Sequence, residues 1–129
     1  MTVTYVIEGS RVTGLERFWE VIGEAVNGPG GYFGRNLDAL ADCLGGGMGT
    51  PDDGDFVFEW RDHMLSARAL GHEETARQLR RSLERAHPTN RPAMRKRLDE
   101  ALAGRGPTLF DLIVEILADD ATPGTLRLS

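Results

Sequence analysis

Two aspartates in one short predicted helix are the first residues in this chain whose types and spacing could support chemistry. Asp38 and Asp42 lie four residues apart in the stretch "NLDALADCL", so they would project from the same side of a helix, one turn apart. Two carboxylates can share acid and base roles when their surroundings separate their pKa values, but nothing in the neighbouring sequence indicates such a separation. Like charges at this spacing destabilise a helix by about 0.2–0.5 kcal/mol. We therefore interpret the pair as solvated, or as facing a positive charge elsewhere in the fold or on another molecule.

The other residue types that commonly build active sites do not occur at functional spacings. The three histidines, His63, His72 and His87, form no zinc-binding pattern with one another or with Cys43. The stretch "LGGGMG" lacks the Lys-Ser or Lys-Thr of a phosphate-binding loop, and it follows a predicted helix and not a strand. Cys43 falls towards the apolar side of its helix, as a packed thiol does. We expect no catalytic residue, no metal and no cofactor.

The charge of the chain is unevenly distributed around its net value of −5. The first 66 residues carry 4 basic and 11 acidic side chains, residues 67–106 carry 10 and 5, and the remainder carries 1 and 4. The basic stretch raises one alternative function, a nucleic-acid-binding regulator acting through the basic helices 73–105. Against it, no aromatic residue stands between the basic residues from Arg77 to Arg97. A solvated helix face is the simpler interpretation.

Length and composition indicate one folded domain, residues 1–129. The 40% hydrophobic content is ordinary for a globular protein, and no run approaches the roughly 18 apolar residues of a membrane helix. The N-terminal stretch "MTVTYVIEGS" lacks the features of a signal peptide. A single cysteine permits no internal disulfide. We expect a cytoplasmic protein that does not associate with membranes.

Strand and helix patterns alternate along the chain. Alternating β-branched residues predict a first strand over "TVTYVIE", the apolar run "DFVFEW" predicts a central strand, and "TLRLS" predicts a short last strand. Amphipathic helices separate them, which predicts an α/β fold with a small, mostly parallel sheet and right-handed crossovers. Four helices carry N-cap signals: Thr13 with Glu16, Asn36 alone, Asn90 with Pro92 early in its helix, and Thr108 with Asp111.

The stretch "YFGRNLDALADCLGGG", followed by "FVFEWR", resembles the motif of the barstar family, intracellular inhibitors of bacterial ribonucleases. That motif runs aromatic–aromatic–Gly–x–Asn–Leu–Asp–Ala–Leu–x–Asp–Cys–Leu. The resemblance covers most of Met1–Ala67 and Leu109–Ser129, and it leaves Leu70–Gly106 as an insertion of two helices. It implies a barstar-like fold, a three-stranded parallel sheet packed with helices, plus this inserted helical pair.

The resemblance also implies a function. The second helix and the loop before it would plug the active site of a ribonuclease, with acidic side chains in the places of RNA phosphates. The implied partner is a guanyl-specific-type bacterial ribonuclease with a basic active site, secreted by the producing cell and bound 1:1 by a monomer, with no nucleic acid involved. The partner-binding residues carried over by the motif are Tyr32, Phe33, Gly34, Asn36, Asp38, Ala41, Asp42 and Gly46, together with Glu115 on the last helix.

The chain departs from the family at aromatic positions. The family often has tryptophan where Ala41 and Gly47 stand and tyrosine where Phe33 stands. Because aromatic anchors dominate interface energies, these departures bear on which partner is bound. An immunity or interaction module for a non-ribonuclease partner is therefore a further alternative. Since an arginine-lined cleft would repel the basic helical pair, we expect that pair to lie away from Asp38 and Asp42.

Overall fold

The protein contains a three-stranded parallel sheet, seen in a computed structural model that describes residues 2–51, 53–118 and 126–129. The strands are β1 (Val3–Glu8), β2 (Phe56–Arg61) and β3 (Leu126–Leu128). β2 is central and pairs in parallel with both neighbours, with Val3 opposite Phe56 and Phe58 opposite Leu126. The predicted α/β fold and the central position of "DFVFEW" are confirmed.

Six α-helices lie within the described residues: α1 (Leu15–Asn27), α2 (Leu37–Leu44), α3 (His63–Ala69), α4 (His72–Arg85), α5 (Arg91–Leu102) and α6 (Leu109–Leu117). A short 3-10 helix, Gly9–Arg11, follows β1. The sequence predicts a last helix over "LFDLIVEILADD", and the final two residues of that stretch, Asp119 and Asp120, lie outside the described residues. None of the described helices has the length and apolar character needed to cross a membrane.

The main core lies against the face of β2 that carries Phe56, Phe58 and Trp60, all three buried. On the other face Val57 is buried, Glu59 is half-buried and Arg61 is exposed. Trp60 is fully buried and stacks on Phe18 with ring centroids 5.4 Å apart. Its indole N–H donates to the Ser66 hydroxyl oxygen at 2.9 Å, and that hydroxyl donates to the Gly9 carbonyl oxygen at 2.9 Å. The polar groups of Trp60 and Ser66 are therefore both satisfied in the core, and these two hydrogen bonds tie α3 to β2 and to the 3-10 helix after β1.

The helices α4 and α5 form a hairpin with a small core of its own, separate from the main core. We call this hairpin the helical pair. Ala76, Leu98 and Ala101 are its buried centre, and Leu79 and Leu83 pack against them half-buried. The predicted pair of helices is thus present. Its apolar contacts are largely internal, so its attachment to the sheet unit depends strongly on polar contacts.

The first of these polar contacts is at the N-terminus of α1, where the sequence predicted a different hydrogen bond. The capping box of Thr13 with Glu16 is wrong, because Gly14 occupies the N-cap position of α1 and no side chain there accepts a hydrogen bond. Instead, the Leu15 backbone N–H donates to the carboxylate of Glu74, on α4, at 2.7 Å. Asn90 occupies the N-cap position of α5 as predicted, but its side chain makes no capping hydrogen bond. The capping box of Thr108 with Asp111 on α6 is confirmed, with both reciprocal hydrogen bonds present.

Ion pairs complete the attachment of the helical pair to α1. The Glu16 carboxylate accepts hydrogen bonds from Arg77 at 2.8 Å and from Arg81 at 2.7 Å. Arg77 also donates to Glu74 at 2.5 Å, so one guanidinium joins a carboxylate of α1 to one of α4. The hydrogen bond from Arg77 is the main cause that lowers the pKa of Glu16. The pKa of Arg77 is raised by its hydrogen bonds to Glu74 and Glu16, although burial alone would lower it.

The pKa of Glu74 lies below its usual value, although burial alone would raise it. The hydrogen bonds from the Arg77 side chain, the Leu15 backbone N–H and the Gln78 side chain, with the charge of Arg77, outweigh that burial. Because the pKa is lower in the folded state, the carboxylate stabilises the fold fully above its unfolded pKa of about 4.3. That stabilisation is lost as the pH falls through the lower folded pKa.

We expect Glu74→Gln to lower the free energy of unfolding at pH 7 by about 1–3 kcal/mol, the range for hydrogen bonds to a charged group. The difference from the native protein should shrink as the pH falls below about 4. Urea unfolding between pH 3 and pH 7 measures it. Glu73→Gln is the matched control, since Glu73 is exposed and has no ion pair among the described residues. The same pH dependence in both variants would contradict the assignment.

Candidate functional site

Local sequence and core packing fix the position of α2. The Asn36 side chain accepts a hydrogen bond from the Ala39 backbone N–H at 2.8 Å, which confirms the predicted N-cap. Leu40 and Cys43 are buried on the opposite side of the helix, at 0% and 4% exposure, and α2 packs against α6. Burying a leucine side chain contributes about 1.5–3 kcal/mol, more than the repulsion expected from two aspartates one turn apart. Packing therefore holds the helix despite its charge pattern.

Asp38 and Asp42 are both exposed on this helix. Within the described part of the chain, neither carboxylate has an ion pair or a hydrogen bond. The fold therefore supplies no described cation to offset the pair, which leaves solvent or another molecule. The nearest electrostatic consequence is at Cys43, where burial and then the charge of Asp42 raise the pKa of the thiol. Cys43 is consequently a packed thiol, as the sequence indicated.

The loop before α2 is held by buried residues. Phe33 is fully buried, and its ring lies 5.9 Å from that of Phe58 on β2. Gly34 has a φ of +97°, and a Cβ there would lie 2.9 Å from the Leu40 backbone nitrogen, so a side chain cannot be accommodated. Tyr32 is 42% exposed. Of these three carried-over residues, Tyr32 offers a side chain to a partner, whereas Phe33 and Gly34 position the loop.

Asn27, at the end of α1, is a positioning residue that sequence reasoning missed. Its side-chain nitrogen donates to the Tyr32 backbone carbonyl and to the Met48 backbone carbonyl, each at 2.8 Å. It thereby joins the loop before α2 to the loop after it. In the sequence this residue begins "NGPGG" and marks only the end of a helix. Its partners are 5 and 21 residues away, and no local pattern identifies them.

The remaining carried-over residues lie on α2, just after it, and on α6. Ala41 is exposed on α2, and Gly46 follows the helix with a φ of +112°. Glu115 is exposed on α6, the helix packed against α2, and has no ion pair among the described residues. The structure thus gathers the candidate residues onto α2, its two flanking loops and the adjacent helix. Across the described residues, no cluster of three or more histidine, cysteine, aspartate or glutamate side chains could hold a metal.

A groove of about 1050 Å³ runs beside this site. We call it the loop groove. It is lined by residues of α1, of the segment 30–35, and of α4 with the turn after it. Tyr32 and Arg35 contribute from the loop, and Arg85 contributes from the helical pair. Neither Asp38 nor Asp42 lines the groove. The helical pair is nevertheless nearer to the candidate site than the sequence suggested, because it shares a groove with Tyr32.

Comparison with known families agrees with this geometry. The family described as Barstar (barnase inhibitor) matches residues 2–99, more than half of the 129-residue chain. The chain therefore belongs to the Barstar family, a family of ribonuclease inhibitors and not of enzymes. The matched range includes α4 and most of α5 and does not mark them off from the rest. That Leu70–Gly106 is an insertion therefore stays a prediction. No curated protein matches the chain.

We expect Asp42→Ala to leave the free energy of unfolding unchanged or to raise it by a few tenths of a kcal/mol. The substitution removes a like-charge neighbour of Asp38, and alanine propagates a helix better than aspartate. Thermal and urea unfolding measure this. Asp111→Ala is the contrasting control, because that carboxylate caps α6, and losing a cap costs about 1 kcal/mol. A loss of more than about 1 kcal/mol from Asp42→Ala would make Asp42 a structural partner inside the fold.

Proposed function

We propose that this protein inhibits a bacterial ribonuclease by inserting the carboxylates of α2 into its active site. The observation that carries the proposal is the pair Asp38 and Asp42, exposed one turn apart and without an ion pair to any described residue. Membership of a family of ribonuclease inhibitors supplies the class of partner. A ribonuclease cleft binds RNA phosphates with arginine and lysine, so a row of carboxylates is complementary to it.

The mechanism is occlusion without chemistry. Helix α2 carries its carboxylates on a rigid segment, capped by Asn36 and anchored through Leu40. A charge that is already in place loses little conformational entropy on binding, so more of the electrostatic attraction appears as affinity. Tyr32, Ala41, Gly46 and Glu115 would contact the enzyme around this centre, and substrate RNA would be excluded.

The finer features of the partner follow from the same proposal. The enzyme is a guanyl-specific-type ribonuclease, secreted by the producing cell, with a basic active site. The inhibitor acts inside that cell and binds as a monomer in a reversible 1:1 complex. It protects cellular RNA before export of the enzyme. The absence of tryptophan at Ala41 and Gly47 moves binding energy from aromatic anchors to charge pairs, which makes electrostatics more prominent in this complex.

We expect Asp42→Ala to weaken inhibition at least about tenfold. Losing one partner of a desolvated charge pair costs about 2–5 kcal/mol in protein complexes. That range includes measurements on barstar and its ribonuclease, so it already draws on this family. The experiment titrates the ribonuclease activity of the producing host's culture medium with native and variant protein. Asp99→Ala, an exposed carboxylate on α5, is the matched control and should inhibit like the native protein. No inhibition by the native protein would overturn the proposed function.

We also expect the association rate to fall clearly between about 50 and 500 mM salt. Attraction between the carboxylate row and a basic cleft speeds association, and salt screens it, with a Debye length of about 10 Å at 0.1 M and 3 Å at 1 M. Stopped-flow association with the purified ribonuclease gives the rate directly. An association rate indifferent to salt would contradict the phosphate-mimic mechanism even if inhibition persisted.

A further inference from the structure

The loop groove brings the helical pair and the candidate binding loop to one surface. Its volume is about 1050 Å³, at the upper end of the range for ligand-binding clefts. Tyr32, Gly34 and Arg35 line it from the segment that leads into α2, and Ser82, Arg85 and Asn90 line it from the helical pair. A molecule docked against Tyr32 would therefore meet the helical pair as well.

The acidic side chains of this groove are all paired within the protein. Glu16 accepts from Arg77 and Arg81. Glu24 pairs with Arg11 at 2.7 Å. Glu20 pairs with Arg17, its neighbour on α1. Each of these carboxylates is compensated, so together they present little free negative charge to a ligand.

Two arginines of the same groove are uncompensated. Arg35 on the loop and Arg85 at the end of α4 are both exposed. Neither has an ion pair or a side-chain hydrogen bond to any described residue. Because the groove's carboxylates are neutralised and these guanidinium groups are not, the charge available to a ligand is positive. Guanidinium groups bind carboxylates in a two-point geometry, which suits an acidic side chain of a protein.

We propose that the loop groove binds an acidic surface segment of the same ribonuclease, one that borders its basic active site. This inference rests on the proposed function, because it places a second contact of one complex beside the first. The carboxylates of α2 would face the enzyme's cleft, and Arg35 and Arg85 would face carboxylates at the margin of that cleft. Two adjacent patches of opposite sign fix the orientation of the partners and exclude ribonucleases that lack the acidic margin.

RNA fits this groove less well than an acidic protein segment. Arg35, which lines the groove, lies three residues before Asp38, and the uncompensated charges of Asp38 and Asp42 repel phosphates. The whole chain carries a net charge of −5, which opposes a polyanion over a longer range. Single-stranded RNA sites also combine positive charge with stacking platforms. Among the residues that line the groove, the exposed aromatic rings are those of Tyr32 and His87 alone.

Charge reversal separates the local contact from long-range attraction. Arg85→Glu and Arg95→Glu each change the net charge from −5 to −7. Arg95 is exposed on the same helical pair but lines a different, smaller cavity with Arg80 and Arg91. A more negative inhibitor should associate faster with a basic cleft. If the groove holds an acidic segment, Arg85→Glu should nevertheless weaken binding, whereas Arg95→Glu should preserve or strengthen it.

The experiment uses the full-length protein and the ribonuclease purified from the host's culture medium. Dissociation constants are measured for the native protein, Arg85→Glu, Arg35→Glu, Arg95→Glu and Asp42→Asn. We expect Arg85→Glu and Arg35→Glu each to weaken binding at least about tenfold, mainly through faster dissociation. Arg35→Glu tests the loop side of the groove, so the result does not depend on whether Arg85→Glu also frays the end of α4. Urea unfolding of every variant verifies folding.

The outcomes distinguish this inference from the function on which it rests. If Asp42→Asn weakens binding but Arg85→Glu and Arg35→Glu bind like Arg95→Glu, the groove contact is overturned and the inhibitor mechanism stands. If Asp42→Asn binds like the native protein, the mechanism itself fails. The last measurement is the binding of a fluorescent single-stranded RNA oligonucleotide. Binding of RNA by the native protein that is lost in Arg85→Glu would make the groove a nucleic-acid site and overturn the proposal.

Discussion

The uncompensated pair of carboxylates on α2 is the constraint around which the binding region is organised. At this spacing Asp38 and Asp42 repel one another by about a few tenths of a kcal/mol in the free protein, although Asp38 lies in the first turn of α2, where a negative charge is favourable. The fold does not relieve that cost with a described cation. It offsets the cost with packing, because Leu40 and Cys43 anchor the opposite side of α2 in the core. Charges kept in place against their own repulsion are most effective when a partner supplies the opposite sign.

The loops before and after α2 must also be held in place, and residues outside the helix hold both of them. Gly34 lets the loop before α2 approach the Leu40 backbone where any side chain would collide. Asn27 joins that loop to the loop after α2 through two carbonyl oxygens. Helix α2 spans only 8 residues, too short to be stable alone. Its geometry therefore depends on α1, on the core and on this single amide.

Features that depend on neighbours in the chain could be predicted from the sequence, and features that depend on distant partners could not. The caps at Asn36 and Thr108 were predicted because their hydrogen-bond partners lie three residues away. The cap assigned to Thr13 failed for the opposite reason. Glu74, 59 residues beyond Leu15, supplies that hydrogen bond. The central position of β2 was predicted from its apolar run, because such a run is typical of a strand with neighbours on both sides.

The candidate site divides in the same way. The motif on α2 identified the carboxylates, because residue type and spacing are local. The two roles of the loop, burial at Phe33 and exposure at Tyr32, emerge only when Phe58 on β2 is in place beneath it. The loop groove is the feature that local sequence patterns could predict least. It exists because Glu16 holds Arg77 and Arg81, which draws α4 along α1 and leaves Arg85 free at its end. The ion pairs that dock the helical pair thus also determine which arginines remain available to a partner.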